Sequence, residues 1–266
     1  MKYRILTSVI LLLSITLTSS LSYAQNEDSK QEMSVKALNP TAKIYKMVLM
    51  NNLTFGDHDA NTLWIEPAIP VYFGDKLQLS NFAMIPVDTR YVNGSHRTSL
   101  GNIIYTGNFS LQKPFKLWGG HFTPALGPAI TLKTNTYGDY ETYMDDTWNV
   151  GLTVAGIYKN KGFLALFAYT PTWGVGGNKV NSSTLQYVLN YSFKSGTGIN
   201  SSPLLSYNEK LGKWIVPFGL GVSQIFKTSS AIYNLAVSGY YNAIRPDVLD
   251  DMKWQLQVKF YVMLPM

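Results

Sequence analysis

Residues 254–266 read WQLQVKFYVMLPM, and this stretch decides the fold. Trp254, Leu256, Val258, Phe260, Val262 and Leu264 alternate with Gln255, Gln257, Lys259, Tyr261 and Met263. A period of two belongs to a β-strand whose successive side chains point to opposite faces. Strands of soluble sandwiches run to only about half this length. One face is apolar throughout and the other carries glutamines and a lysine. That is the dress of a strand standing between lipid and a polar interior.

The pattern recurs upstream. In NIIYTGNFSL, Ile103, Tyr105, Gly107, Phe109 and Leu111 share one face, while Asn102, Thr106, Asn108 and Ser110 share the other with Ile104 as the exception. In WNVGLTVAGIY, Trp148, Val150, Leu152, Val154 and Tyr158 oppose Asn149, Gly151, Thr153 and Ala155. In LQYVLNYSF, Leu185, Tyr187, Leu189, Tyr191 and Phe193 oppose Gln186, Asn190 and Ser192. The second face is small and polar rather than charged, which suits a confined interior better than open water. Read through, the chain gives about twelve strands of membrane-spanning length. They fall at 43–56, 62–73, 77–88, 101–112, 117–132, 147–158, 163–173, 184–194, 198–207, 213–226, 231–242 and 252–264.

Connections separate a sandwich from a barrel. Long ones (GDHDAN, TRYVNGSHRTSL, KTNTYGDYETYMDD, GVGGNKVNSS, NEKLG, AIRPDVLD) alternate with short ones (GDK, KPFK, KNKG, KSGT, KTSS). Outer-membrane barrels alternate short periplasmic turns with longer outer loops in this way. Charge follows the same division. Asp57, Asp59, Asp88, Asp139, Glu141, Asp145, Asp146, Glu209, Asp247, Asp250 and Asp251 gather at the long-loop end. Lys76, Lys113, Lys116, Lys159, Lys161, Lys194 and Lys227 gather at the short-turn end, with Asp75 as the only acid. Trp64, Trp148, Trp173, Trp214 and Trp254 mark the long-loop interface and Trp118 the other, as aromatic girdles do. The fold class expected is therefore all-β: a closed antiparallel transmembrane β-barrel of about twelve strands in an up-and-down meander. Pro67, Pro70, Pro86, Pro124, Pro128, Pro171, Pro203 and Pro217 fall inside these strands and predict bulges or bends, because each removes a ladder donor.

Composition removes other classes. Charged residues make up only 14% against 46% hydrophobic, too few charges for an ordinary soluble surface. A net charge of +6, scattered and without stacking aromatics, argues against nucleic acid. With no cysteine there is no disulfide framework, cysteine nucleophile, thiolate metal site or lipidated amino-terminal Cys. MKYR, ILTSVILLLSITL and SSLSYA form a secretory signal ending in Ser22-Tyr23-Ala24, with cleavage before Gln25. The chain thus divides into a signal peptide at 1–24, a polar periplasmic leader without fixed structure at 25–40 and the barrel at 41–266. Its expected location is the outer membrane of a Gram-negative bacterium.

Short motifs in the strands carry a resemblance. Asn39, Pro40 and Ala42, then NNLTFG (51–56), IEPAIPV (65–71), WGGHFTPALGPAITL (118–132), LQYVLNYSF, SSPLLSYN (201–208), WIVPFGLGVSQIF (214–226) and WQLQVKF occur in that order. The chain resembles a family of outer-membrane β-barrels assigned to transport and grouped with the phenol-degradation meta-pathway barrels. The likeness spans nearly all of the mature chain. It implies a twelve-stranded barrel and a transport role, and it brings no catalytic residues. Glu66 departs from the Gln of the family pattern, and the chain closes on Pro265-Met266 rather than an aromatic residue.

The candidate solute path is the interior face: Glu66, Asn108, Asn149, Gln186, Asn190, Gln255, Gln257 and Lys259. A carboxylate facing hydrocarbon is costly, so Glu66 must point inward. Lys259 lies one strand away from it across a closed barrel, where the two form either a charged constriction or a neutralising wall pair. His58 between Asp57 and Asp59, and the acidic run at 139–146, read as hydrated loops rather than metal sites, the latter lacking the spacing of a calcium loop. His121 reads as a polar interior residue. Ser95, His96 and Ser99 are too close in sequence, and placed in a loop, to build a hydrolase triad, so no enzyme is expected. No cofactor or metal is expected. Outer-membrane lipid, small-molecule solutes and the barrel-assembly machinery are the expected partners. The function expected is passage of small solutes, apolar or aromatic ones if the resemblance holds. The alternative is a structural or surface-interaction barrel without a conducting pore, and a lipid-modifying enzyme comes last.

Overall fold

The computed structural model describes residues 27–56, 60–92, 95–136, 147–175, 180–228, 231–247 and 252–265. The signal segment at 1–24, the His58 tip with Asp57 and Asp59, and the acidic run at 139–146 lie outside them. Among the described residues there is one α-helix, α1 (Glu27–Leu38), with strands β1 (Ile44–Phe55), β2 (Ala60–Phe73), β3 (Leu77–Val92), β4 (Ser95–Leu100) and β5 (Ile103–Leu111). There follow β6 (Phe115–Leu117), β7 (Gly120–Leu132), β8 (Trp148–Asn160), β9 (Phe163–Val175) and β10 (Ser182–Ser192). The last are β11 (Thr197–Ser201), β12 (Leu204–Asn208), β13 (Trp214–Lys227), β14 (Ile232–Ile244) and β15 (Trp254–Pro265).

These pieces make a closed antiparallel barrel of 12 wall strands, since β4, β5 and β6 are parts of one and β11 and β12 parts of another. Each wall strand pairs with its neighbours in sequence. Closure comes from β1 against β15, from Ile44 opposite Pro265 to Phe55 opposite Trp254. Closure leaves no unpaired edge, which a wall surrounded by apolar medium requires. The expected alternation holds along β15: Trp254, Phe260 and Leu264 are exposed on the outer face, while Gln257, Lys259, Tyr261 and Met263 are buried within.

Several expectations are corrected. The stretch 89–100, expected as a loop, is strand in its described residues: β3 runs to Val92 and β4 starts at Ser95, with Tyr91 opposite His96. The fourth wall strand, expected at 101–112, does not end at Gln112 either. Its last piece, β6, turns at Trp118–Gly119, both with positive φ, and pairs Leu117 with Gly120. The prolines interrupt the ladder unevenly. A register shift falls at Val216/Pro217, and the ninth wall strand breaks at Ser202–Pro203. Pro124 and Pro128 by contrast sit in the β7–β8 ladder without a shift. Close backbone approach governs some of these places. A Cβ on Gly127 would lie 1.7 Å from the Gly107 carbonyl oxygen, and one on Gly151 would lie 2.0 Å from that of Pro171.

The leader is the largest correction. Residues 27–38 form a helix that enters the short-turn end of the barrel. The interior there is apolar, and the helix is what it packs against. Met33 and Ala37 join Val48, Ile225, Tyr261 and Met263 in one cluster, and Val35 joins Ile157, Leu164, Leu166 and Val188 in another. Glu32 and Lys36 stay exposed as an i,i+4 pair at 2.9 Å. Polar contacts fix the seat. Gln31 Nε2 donates to the Ser192 carbonyl at 2.6 Å, and Ser192 Oγ donates to Ser34 Oγ at 2.8 Å. Beyond the helix, Asn39–Thr41 crosses to the far wall. There Gln78 Nε2 donates to the Thr41 carbonyl and Ser80 Oγ to that of Pro40, both at 3.2 Å.

Candidate functional site

Above this plug lies an interior cavity of about 180 Å³. Ala37, Leu38, Pro40 and Thr41 of the plug segment close one side of it. Apolar wall residues, among them Val48, Ala68, Ile157, Leu166 and Val188, form much of the remainder. Into this lining project Lys46, Glu66, Lys259 and Tyr261. All four are less than a tenth exposed.

The strands dictate that grouping. On β1, Val48 stands opposite Glu66 of β2 on one side and Tyr261 of β15 on the other. Met50 stands opposite Lys259, two residues further along the same inward row. Lys46, two residues the other way, donates its ammonium to the Asn39 carbonyl of the plug linker. The Lys259 ammonium donates to Ser202 Oγ at 2.7 Å and to the Ser202 carbonyl at 3.2 Å. Tyr240 OH accepts from the Ser202 amide at 3.0 Å. Tyr240 and Lys259 therefore hold the backbone where Pro203 interrupts the ninth wall strand. Glu66 and Lys259 attract each other electrostatically, yet among the described residues Glu66 makes neither an ion pair nor a hydrogen bond.

Of the residues singled out from sequence, Glu66, Asn108, Gln186 and Lys259 line this one cavity. The other four point inward elsewhere. Asn149 donates to the Val180 carbonyl at 2.7 Å near the long-loop end, and Gln257 to Asn52 Oδ1 at 3.0 Å. Asn190 donates to Ser192 Oγ at 2.8 Å beneath the helix, and Gln255 lies half-buried between Thr54 and Tyr240. His121, expected as a polar interior residue, shares the inward parity of Thr123 but is exposed at the short-turn rim, opposite Lys116 and Lys159. Ser99 is buried and His96 exposed on β4; an odd spacing puts them on opposite faces of the strand.

Sequence reading missed Lys46, Tyr261 and the helix. Lys46 carried the same signal as Glu66, a charge inside a spanning strand. Ile157, Leu164, Leu166, Val188 and Ile225, apolar on the inward parity, were the mark of something packed inside.

Three wall ladders each miss two successive rungs: β5–β7 at Gly107 and Asn108, β8–β9 at Leu152 and Thr153, and β2–β3 beside the cavity. The β2–β3 ladder lacks rungs at Glu66 and Pro67, between Ile65 opposite Ile85 and Ala68 opposite Phe82. Ile69 and Asn81, of outward parity, nevertheless line the cavity. Asn81 Nδ2 donates to the Ile69 carbonyl at 3.1 Å, and Asn81 Oδ1 accepts from Tyr105 OH at 2.7 Å.

Fold and site together define a class: a closed antiparallel barrel carrying a helical plug and an internal cavity of mixed polarity. No protein-family model matches the chain, and no curated protein does. Among solved structures, it is similar to an outer-membrane channel from Pseudomonas putida F1. The TM-score is 0.60 at 11% identity, over 84% of this chain and 96% of that one, a likeness of fold. Outer membrane phospholipase A from Escherichia coli gives a TM-score of 0.40 at 11% identity, over 83% of this chain and 98% of that one. The calcium-bound phospholipase dimer from Salmonella typhi gives 0.42 at 11%, over 87% and 97%. Scores this low carry no argument about this chain's chemistry.

Proposed function

We propose that the protein is a plugged outer-membrane channel that passes small, largely apolar solutes through its barrel. The observation that carries this reading is the cavity itself, with apolar walls and a floor made by a segment outside the barrel wall. A barrel serving only as a wall would fill its interior with its own side chains. Here Ala37, Leu38, Pro40 and Thr41 close the space, and none of them belongs to a wall strand. Transport then requires the plug to shift. Liposome swelling with the mature chain and with a variant lacking 25–41 is the test. Faster entry of small apolar solutes through the truncated barrel supports the reading. Equal impermeability of both, with the barrel folded, returns the protein to the structural class.

A sideways route is favoured by one observation, the contact of Ile69 and Asn81 with the cavity where the β2–β3 ladder is incomplete. The chain has no cysteine, so a cross-link between Ala68→Cys and Phe82→Cys would be the only one formed. Slower apolar uptake with unchanged ion conductance on cross-linking would place the route there; no effect would place it along the barrel axis.

A further inference from the structure

We infer that the short-turn rim of the barrel is a docking surface for a carboxylate-bearing polymer on the periplasmic side, the chemistry of the cell wall's peptide stems. The inference is independent of solute passage and rests on the short turns being periplasmic. Each of the five short turns carries an exposed lysine: Lys76 before β3, Lys116 in β6, Lys161 between β8 and β9, Lys194 after β10 and Lys227 ending β13. Asp75 is the only acid in those turns. The helix offsets little of this charge, with Glu27, Asp28 and Glu32 against Lys30 and Lys36, and Glu32 is already paired with Lys36. Successive turns come every two strands, roughly 10 Å apart around the rim. That is about one Debye length at 0.1 M salt, so the ammonium fields overlap into one positive ring. At the long-loop end, by contrast, Lys213 is paired with Asp247 at 2.7 Å.

Direction and residue type narrow the partner. Lys116 and Lys159 both stand opposite His121 on the inward parity, and Lys227 continues the inward row of Ser223 and Ile225. These three point over the barrel mouth, away from the lipid around the outer face. Basic residues side by side across neighbouring strands disfavour one another, a cost that an anion lying over the mouth removes. Every strand or turn cation on this rim is a lysine, whereas Arg90, Arg97 and Arg245 all lie at the long-loop end. An ammonium is a hydrated point charge rather than a planar fork. It suits carboxylates spread along a flexible chain better than one fixed headgroup. A folded protein partner would need an apolar centre to its interface. Among the described residues, the exposed Phe73, Leu111 and Phe115 near the rim keep the outward parity, and Trp118 stands at a turn tip.

The test is co-sedimentation of the full mature protein, held in phosphatidylcholine nanodiscs, with purified peptidoglycan sacculi. At 0.1 M NaCl the protein should pellet with the sacculi. At 1 M, where the Debye length falls to about 3 Å, it should stay in solution. A variant carrying Lys76→Gln, Lys116→Gln, Lys161→Gln and Lys227→Gln should bind about tenfold more weakly, since several weak exposed ion pairs are lost together. A second variant, with Lys133→Gln, Lys210→Gln, Lys213→Gln and Lys253→Gln, removes the same charge at the long-loop end and should bind as the unmodified protein does. All eight side chains are exposed, so both variants should fold, which heat-modifiable gel mobility checks. Sacculi whose carboxylates are amidated should not bind, a result that needs no variant. Equal binding of the two variants, unreduced binding to amidated sacculi, or no pelleting at 0.1 M would each overturn the inference. Tighter binding of poly-L-glutamate than of sacculi would overturn it in favour of an acidic protein. Loss of sacculus binding in phosphatidylglycerol nanodiscs would overturn it in favour of lipid headgroups. Labelling of a Gly74 epitope on intact cells would overturn it by placing the rim outside.

Discussion

Replacing Val35 by aspartate puts a carboxylate on α1 where the helix packs against Ile157, Leu164, Leu166 and Val188. The valine is only 6% exposed, so its burial is worth about 1.5–3 kcal/mol. A carboxylate in its place would have to desolvate among aliphatic side chains, which costs a further ~2 kcal/mol or more. Together these weaken the seated plug by about 4 kcal/mol, and at about 1.36 kcal/mol per decade that is roughly a thousandfold shift toward the unseated state. The hydrogen bonds described between α1 and the wall reach Ser192, the last residue of β10, and no strand-to-strand rung runs through α1, so the wall should survive the change. Planar-bilayer recordings of the refolded mature chain, with heat-modifiable gel mobility as the check on folding, should show longer and larger openings for Val35→Asp. Glu32→Gln is the control: its side chain is exposed in the pair with Lys36, and it should record as the unmodified protein does. A folded Val35→Asp barrel with unaltered conductance would refute the assignment of α1 as the barrier.

Other outcomes follow from the same geometry. Gly127→Ala would force a Cβ against the Gly107 carbonyl, so the folded fraction on refolding into detergent should fall, by about 1–3 kcal/mol of overpacking or more. Full folding yield would mean that the wall gives way there. Lys259→Met removes the donor that satisfies Ser202 at the strand break and should lower the unfolding midpoint by the equivalent of about 1–3 kcal/mol; an unchanged midpoint would show that the break holds itself. The sidedness is checked with epitopes at Gly74 and Gly212, turn glycines where an added side chain meets nothing within 4 Å. On intact cells the Gly212 tag should be labelled and the Gly74 tag should not, and the reverse would invert the orientation.

What was legible in the sequence was whatever a single strand decides alone. Alternation fixed which side chains of 254–264 face in and which face out, because a strand with period two has no third option. Loop lengths gave the meander, since neighbouring antiparallel strands can be joined by short turns. Glu66 and Lys259 could be placed inward for the same reason, as a charge on the outer face would be too costly. Pro203 could be marked as a break, but its consequence could not be read. Whether the chain bulges, as at Val216/Pro217, or is held by a distant lysine and tyrosine, as at Ser202, depends on partners 38 and 57 residues away. The same limit applies to β4 and β6, which looked like connections because their pairing lies in other strands.

The helix shows where that limit comes from. Residues 27–38 read EDSKQEMSVKAL, and its few apolar positions give no strong stripe, so taken alone the segment is a polar leader. Isolated helices of this length are marginal in water. It becomes a helix because twelve strands close around it and leave Ile157, Leu164, Leu166, Val188 and Ile225 facing inward at one end. Sequence by itself determined the barrel, its strand count and its two faces, all consequences of local period. Only the tertiary structure decided that the leader is a plug, that Lys259 secures Ser202 rather than pairing with Glu66, and that Glu66 and Tyr261 share one cavity. Those facts depend on which strands become neighbours when the sheet closes, and a linear period does not encode that.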